Sequence, residues 1–362
     1  MEILKIKNDS NIKILGRTIN SSDSVDLVWT GSGVEMNIKA SELWLCVEAP
    51  YESFENWIAV EINGEILQRR PLDKEKSWIQ IFRGMNSENV THVRILKETQ
   101  ANSADPNAFI SIYKYKTDGV TVPLPQSKMK IEFIGDSINS AEGAIGAKAD
   151  MDWISQYFSH VNSYPYFVGK KLDAEIRVFS QSGFGLYISW DNDRTHAVPP
   201  YYEEICSIMG KGAVYNKGFN EKWDFSSWQP DYIVINLGTN DEAAFNYEGP
   251  SKLDMFTKKG DEYNIDDLNK VKETLVKFLY IVRKNNPNSY IIWAFDVFNG
   301  KITPSIEESV NKYIAESKDD KVYYLKLKNF TDETVGSRAH PGRLSHLENA
   351  EIISNFISSL EK

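Results

Sequence analysis

The chain has 362 residues and a formal net charge of −10, with 41% hydrophobic and 12% aromatic residues. This length predicts two domains, and the hydrophobic content is sufficient for packed cores. The acidic charge argues against a nucleic acid or an anionic membrane as a partner, because both require a basic surface. No stretch approaches the roughly 18–20 uninterrupted apolar residues of a membrane-spanning helix.

The N-terminal sequence MEILKIKNDSNIK lacks the apolar core of a secretory signal, so a cytoplasmic location is expected. Cys46 and Cys206 lie far apart in unlike contexts. We expect both to be small, inert hydrophobic residues, and two thiols alone cannot form a zinc site. The sequence carries no signal of oligomeric state.

Residues 1–120 contain short runs in which apolar and polar residues alternate, which is typical of half-buried β-strands. Residues 41–49 read SELWLCVEA, and residues 57–67 contain Asn63-Gly64, a pair that favours a tight hairpin turn. Further strands are predicted at 25–30, 78–82, 92–97 and 108–116. No helix is predicted here, and the pattern indicates a β-sandwich domain of jelly-roll type.

Residues 121–128 are predicted to form an extended linker, because two prolines fall in this segment. Residues 129–362 then alternate strand and helix patterns. The strand candidates are nearly continuous apolar runs, as in parallel strands buried on both faces; they lie at 131–134, 176–179, 232–237 and 290–295. We predict a doubly wound α/β domain with a flavodoxin-like parallel sheet, in which working residues lie at the carboxyl ends of the strands.

Two helix starts are predicted in this second domain. Apolar residues recur at helical spacing over 268–282, with Asp266 as the N-cap. Ser345 and Glu348 match a capping box that would open the last helix.

Three loops of the second domain carry reactive or hydrogen-bonding side chains. Ser137 follows the first apolar run through Gly135, which allows a sharp turn that exposes the hydroxyl group. Asn240 follows the third run, and His340 lies in a Pro-Gly loop before the last helix. Each also fits an ordinary role, because Gly-Asp-Ser is a common turn and Asn240 can cap a helix.

The chain has five histidines. A lone histidine is more often a surface or core residue than a catalytic one, and this reading is preferred for His92, His160 and His196. For His346, at the start of the last helix, packing and catalysis are both open.

In this order, the runs IGDSI, SGFG at 182–185, NLGTND and AHPG resemble the sequence blocks of the SGNH (GDSL) hydrolases. Together with LVWTGSGVEMNI and THVRILKET, they also resemble carbohydrate esterase family 2, which pairs a jelly roll with a C-terminal SGNH domain. The resemblance covers nearly the whole chain. It implies a serine esterase that removes acetyl groups from xylo-oligosaccharides or related sugars and needs no metal or other cofactor.

The resemblance also implies a role for individual residues. Ser137 would be the nucleophile and His340 its general base. The oxyanion hole would combine the backbone N–H groups of Ser137 and Gly183 with the side-chain amide of Asn240. Gly185 would replace Gly183 if the register of that loop differed.

One position departs from the family pattern, which places an aspartate three residues before the catalytic histidine. Here that residue is Ser337, a possible His-orienting position because its hydroxyl can accept a hydrogen bond from the imidazole. The alternatives are a backbone carbonyl or a carboxylate from elsewhere, with Asp332 and Glu333 nearest in sequence. Some relatives are thought to work with a Ser–His dyad.

Two other functions remain open from the sequence. The same catalytic frame serves lipases and thioesterases that act on longer acyl chains. The sandwich and the missing aspartate also fit a carbohydrate-binding protein without turnover. Five aromatic residues are candidates for stacking on sugar rings: Trp153, Tyr157, Tyr164, Trp190 and Phe245. We expect the β-domain to form one side of the cleft or to pack against its neighbour.

Overall fold

The structure is a computed structural model that describes residues 1–361. Its first part contains twelve strands and no α-helix among residues 1–122. The strands are β1 (Glu2–Lys5), β2 (Ile12–Leu15), β3 (Ile19–Asn20), β4 (Val25–Leu27), β5 (Gly33–Lys39), β6 (Glu42–Glu48), β7 (Trp57–Ile62), β8 (Glu65–Pro71), β9 (Ser77–Arg83), β10 (Thr91–Lys97), β11 (Ile110–Thr117) and β12 (Val120–Val122).

These strands form two antiparallel sheets. One has the order β3-β4-β11-β6-β9, with β1 paired to β11, and the other has the order β12-β5-β10-β7-β8, with β2 paired to β5. Buried side chains from both sheets share one core, including Leu45 of β6 and Val60 of β7. Each fully buried aliphatic side chain contributes roughly 1.5–3 kcal/mol. The apolar positions of the alternating sequence pattern therefore lie on the buried inner faces of the two sheets.

Two local features of the sandwich bear on the predictions. Asn63 and Gly64 have φ angles of 52° and 90° and join β7 to β8, as a tight hairpin turn requires. The start of the predicted linker is wrong, because residues 121–122 belong to β12, which pairs with β5. Their Thr and Val side chains suit a strand, and the extended segment begins after them.

The second part of the chain is built on a parallel sheet with the order β14-β13-β15-β18-β19. Its elements are β13 (Met129–Gly135), α1 (Tyr164–Leu172), β14 (Ala174–Ser180), α2 (Ala213–Asn216), β15 (Tyr232–Asn236), α3 (Thr239–Phe245), β16 (Lys258–Lys259), β17 (Glu262–Tyr263), α4 (Ile265–Asn285), β18 (Tyr290–Phe295), α5 (Thr303–Ser317), β19 (Val322–Lys326) and α6 (Arg343–Leu360). The short strands β16 and β17 form a separate ribbon.

The strand order reverses at β13, which lies between β14 and β15. A doubly wound sheet opens a crevice at such a switch point, outside the carboxyl ends of the strands. The predicted fold class, an antiparallel β-sandwich followed by a doubly wound α/β domain, is confirmed. The edge strand β19 was not predicted, because its partly buried VYYLK run lacks the continuous apolar character of the central strands.

Both predicted helix starts are wrong in detail. Asn264 is the N-cap of α4, since its side chain accepts the N–H groups of Asp266 and Asp267. The last helix begins at Arg343, with Gly342 as its N-cap. Ser345 is therefore buried inside the first turn, and it cannot act as the first residue of a capping box.

A buried ion pair connects the two parts of the chain. Arg17, between β2 and β3, is 2% exposed, and its Nη2 lies 2.9 Å from Oε1 of Glu132 on β13. Its Nη1 donates to the carbonyl of Tyr202 at 2.5 Å. Because neither charge faces water, these contacts fix the sandwich against the α/β sheet. Among the described residues, no helix combines the length and the apolar character needed to cross a bilayer.

Candidate active site

Ser137 and His340 meet at the carboxyl end of β13. The Oγ atom of Ser137 lies 2.9 Å from Nε2 of His340. The turn at the end of the strand requires Gly135, because a Cβ there would lie 2.3 Å from Oδ1 of Asn139. The serine–histidine distance is within the range needed for direct proton transfer.

A backbone carbonyl orients the histidine ring. Nδ1 of His340 lies 2.8 Å from the carbonyl oxygen of Arg338, which can only accept a hydrogen bond. Nδ1 therefore carries the proton, and Nε2 is left to accept from the serine hydroxyl. This is the tautomer that a general base toward Ser137 requires.

Two backbone N–H groups and one amide face the same cleft. Within the described residues, the backbone N–H groups of Ser137 and Gly183 have no hydrogen-bond acceptor. Nδ2 of Asn240, which lines the cleft, donates to the carbonyl of Phe184 at 2.9 Å and makes a longer contact of 3.4 Å with Oδ2 of Asp136, for which a ligand oxygen in the cleft can compete. The N–H of Gly185 already donates to the carbonyl of His196, so the alternative register is excluded.

A buried carboxylate supports the loop that carries Gly183. Asp241 is fully buried and accepts the N–H groups of Leu186, Tyr187 and Ile188 at 2.7, 2.7 and 3.1 Å. Burial raises the pKa of Asp241 to about 6, although these hydrogen bonds favour its charged form. The carboxylate thereby fixes the path of the chain just after the proposed oxyanion donor.

Asp136 is a second buried carboxyl group, adjacent to the serine. Desolvation raises the pKa of Asp136 to about 7, against the effect of the Ile138 N–H that it accepts at 3.0 Å. Its Oδ2 lies 3.4 Å from Nδ2 of Asn240. Asp136 thus contributes to the placement of the amide.

Both parts of the chain line the cleft above Ser137, which has a volume of about 530 Å³. The β-sandwich side contributes Phe54 and Asn102, and the α/β side contributes Trp153, Trp190 and Phe298. The rings of Phe54 and Trp153 pack edge to face with centroids 4.5 Å apart. The sandwich therefore closes one side of the cleft.

The aromatic candidates divide into two groups. Trp153 and Trp190 line the cleft, and Trp190 is 52% exposed. The prediction is wrong for Tyr164 and Phe245, which are buried in the domain cores. Tyr157 lies outside the cleft lining and donates its hydroxyl to Asp150.

A family model for GDSL-like lipases and acylhydrolases matches residues 131–351, more than half of the chain. The chain belongs to this family. Across its whole length the GDSL protein also resembles an acetyl xylan esterase, Est2A, from the rumen bacterium Butyrivibrio proteoclasticus. The two are 35% identical, with a TM-score of 0.96 and coverage of 100% of this chain and 99% of Est2A.

Two further comparisons extend to both parts of the GDSL protein. The cellulase/esterase CelE of Acetivibrio thermocellus is 24% identical over 341 residues, and the match spans 91% of this chain but 37% of CelE. A family two carbohydrate esterase from Clostridium thermocellum, solved with cellohexaose, shares the fold at 23% identity, with a TM-score of 0.80 over 97% of this chain and 99% of that one. The predicted resemblance to SGNH (GDSL) hydrolases and family 2 carbohydrate esterases is confirmed.

In this GDSL protein Ser337 does not orient the histidine, so that prediction is wrong. Its hydroxyl donates to the carbonyl of Ile145 at 3.0 Å, and Nδ1 of His340 bonds the carbonyl of Arg338 instead. Asp332 does not supply the missing carboxylate either, because it is exposed and paired with Lys148. The backbone-carbonyl alternative is the one that the structure shows.

Glu142 is a site residue that sequence reasoning missed. Its side chain is 4% exposed, and its Oε2 lies 3.9 Å from Nε2 of His340. Its Oε1 accepts a hydrogen bond from Nε of Arg338 at 2.8 Å. The sequence offers no distinguishing signal, since a glutamate five residues after Ser137 matches no block of the GDSL pattern.

His346 has a packing role rather than a catalytic one. It is 1% exposed, and its Nδ1 accepts the backbone N–H of Tyr164 at 3.2 Å. Desolvation lowers the pKa of His346 to about 3, which keeps the ring neutral. The same cause lowers the pKa of His160 to about 3, so this buried histidine is also structural.

Proposed function

We propose that this GDSL-family serine esterase removes acetyl groups from acetylated xylo-oligosaccharides or related sugars. The observation that carries the proposal is the 2.9 Å contact between Oγ of Ser137 and Nε2 of His340 at the base of an open cleft. The similarity to the acetyl xylan esterase Est2A supports the acetyl ester, and the cellohexaose bound by the Clostridium thermocellum enzyme supports a sugar-chain ligand.

The reaction begins when Ser137 attacks the acetyl carbonyl and His340 takes the hydroxyl proton. Negative charge then develops on the carbonyl oxygen, facing the N–H groups of Ser137 and Gly183 and the amide of Asn240. The C–O bond to the sugar breaks as His340 returns the proton to the leaving hydroxyl. The product of this half-reaction is acetyl-Ser137.

Water completes the cycle. His340 removes a proton from the attacking water, which adds to the acetyl carbonyl through the same oxyanion site. The bond to Oγ of Ser137 breaks, the proton returns to the serine and acetate leaves. Each step uses groups of this chain, and the histidine is regenerated.

The cleft walls suit a sugar rather than a long acyl chain buried in a tunnel. Trp190 stands beside Gly183 at the mouth of the cleft, with half of its surface exposed. An exposed indole face provides a flat apolar surface for a sugar ring. We propose that Trp190 binds the sugar next to the ester.

The test measures acetate release from acetylated xylan and hydrolysis of 4-nitrophenyl acetate. Wild type is expected to be active, and Ser137→Ala and His340→Ala to be inactive. His92→Ala is the matched control, because His92 lies on β10 in the sandwich and bonds Glu35. Wild-type activity in Ser137→Ala would reject the mechanism.

A chain-length series separates the competing functions. Activity confined to acetyl among 4-nitrophenyl acetate, butyrate and octanoate supports the sugar esterase. Activity rising toward octanoate would indicate a lipase or thioesterase instead. Saturable binding of xylo-oligosaccharides with no acetate release would indicate a binding protein.

A further inference from the structure

The Glu142 carboxylate occupies an unusual place in this site. It lies on the Nε2 side of the His340 ring, whereas a triad aspartate contacts Nδ1. One oxygen is 3.9 Å from Nε2, and the other is held by Arg338 at 2.8 Å. The buried carboxylate is therefore close to the ring on which positive charge develops during the reaction.

Arg338 is held from three directions by the segment that follows Ser137. Its backbone N–H donates to the carbonyl of Asp150 at 2.7 Å, and its Nη1 donates to the carbonyl of Met151 at 2.8 Å. Glu142 supplies the third contact, through Nε of Arg338. These contacts determine where the Arg338 carbonyl points.

The backbone at this point needs such support. Arg338 and Ala339 have φ angles of 55° and 54°, in the left-handed region that side-chain-bearing residues rarely adopt. A conformation of this kind persists only where surrounding contacts impose it. The carbonyl of Arg338 meets Nδ1 of His340 at 2.8 Å because the chain takes this path.

The two segments also fit closely at Gly143. A Cβ at Gly143 would lie 2.3 Å from the carbonyl oxygen of Ser337 and 2.8 Å from Cβ of His340. The N–H of Ser337 donates to the carbonyl of Gly143 at 3.2 Å. The glutamate segment and the histidine loop thus form one packed unit.

We propose that Glu142 and Arg338 act as a positioning pair that performs the two tasks of the missing aspartate. Arg338 presents its carbonyl to Nδ1 and fixes the tautomer. Glu142 holds Arg338 in place, and its charge stabilises the imidazolium formed when His340 takes the Ser137 proton. This inference rests on the proposed function, in which His340 is the general base.

Two other titratable groups interact with the pair or with His340. His346 interacts with His340 through space but remains neutral because it is buried. Asp136 interacts with Glu142 and is fully buried. Because the Glu142 charge helps to raise the pKa of Asp136, the profiles are also compared in an Asp136→Asn background, where a difference between variants reports the pair itself.

The experiment is the pH profile of kcat/KM for 4-nitrophenyl acetate in wild type, Glu142→Gln and Arg338→Met. Glu142→Gln leaves the arginine cation unopposed, and this disfavours the protonated form of His340. The half-maximum of the profile, meaning the pH on the acidic side at which kcat/KM is half of its highest value, therefore moves to lower pH by about one unit, and kcat falls about tenfold. Arg338→Met leaves the carboxylate unopposed, so the half-maximum moves to higher pH while kcat falls. Opposite shifts are the expected signature.

Asp332→Asn is the matched control, because Asp332 is an exposed carboxylate that pairs with Lys148 and makes no contact with the ring. Its profile should coincide with wild type. If Glu142→Gln does not fold, the comparison of Arg338→Met with Arg338→Lys tests the pair. Lysine keeps the positive charge, so Arg338→Lys should lower kcat without moving the half-maximum, whereas Arg338→Met should move it to higher pH.

Profiles that do not move in either charge variant would overturn the positioning pair. This failure is distinct from failure of the proposed function. An inactive Ser137→Ala with unshifted Glu142→Gln and Arg338→Met profiles rejects only the pair. An active Ser137→Ala rejects the function on which the pair depends.

Discussion

Replacement of Asn240 by alanine tests the oxyanion site directly. Asn240 follows β15 at the first turn of α3, on the opposite side of the switch point from Ser137. One amide hydrogen is used by the carbonyl of Phe184 at 2.9 Å, and the other makes only a 3.4 Å contact with Asp136, for which the developing oxyanion can compete. The substitution removes this donor and leaves the backbone donors of Ser137 and Gly183.

The expected loss is large in kcat and small in KM. Removing one oxyanion donor costs about 3–4 kcal/mol of transition-state stabilisation, which corresponds to roughly 10²–10³ in kcat. KM should change little, because the full negative charge is absent from the bound substrate. The lost contact with Phe184 should lower the free energy of unfolding by about 1 kcal/mol.

The assay is steady-state hydrolysis of 4-nitrophenyl acetate, with the free energy of unfolding measured by urea denaturation. Asn246→Ala is the control, because Asn246 caps the other end of α3 and is exposed. A kcat for Asn240→Ala within about threefold of wild type would refute the assignment, since a lost oxyanion donor has a far larger effect.

Three further substitutions test how the site is supported. Asp241→Asn should lower the free energy of unfolding by about 3 kcal/mol and reduce kcat, because the three hydrogen bonds from N–H groups near Gly183 weaken. Urea denaturation and steady-state kinetics measure the two effects, and unchanged values of both would contradict this. Arg17→Met should destabilise the protein by about 3–5 kcal/mol by leaving Glu132 buried without its partner, and an unchanged melting temperature would oppose the inference. Burial raises the pKa of Asp136 to about 7, so the folded chain keeps a proton that the unfolded chain releases near pH 4. The stability of wild type relative to Asp136→Asn should therefore decrease as pH rises from about 4 to about 7, and a flat difference would exclude the linkage.

The catalytic candidates were predictable because topology places them together. Ser137 and Asn240 follow β13 and β15, which are neighbouring parallel strands whose carboxyl ends share one edge. Their loops are far apart in sequence, but the doubly wound order brings them to one crevice. His340 was recognisable from the AHPG run that precedes the last helix, and the loop before α6 places it at the same edge.

The orientation of His340 depends on features that residue types do not reveal. Left-handed backbone is expected of glycine, yet here it occurs at Arg338 and Ala339, where neighbouring contacts impose it. Glu142 becomes relevant only because the loop after Ser137 folds back against these residues. The helix caps failed for a related reason, since Asp266 and Ser345 have suitable side chains but lie within the first turn of each helix.

A main-chain oxygen exists whatever amino acid the codon specifies. No replacement of the 338 side chain can delete the acceptor that faces Nδ1 of His340, whereas a triad aspartate is lost by a single substitution. In an alanine scan of this loop, a loss of activity at position 338 would therefore report a displaced acceptor and not a deleted one. Proline at position 339, where φ is 54°, is incompatible with the path of the chain and should displace that oxygen.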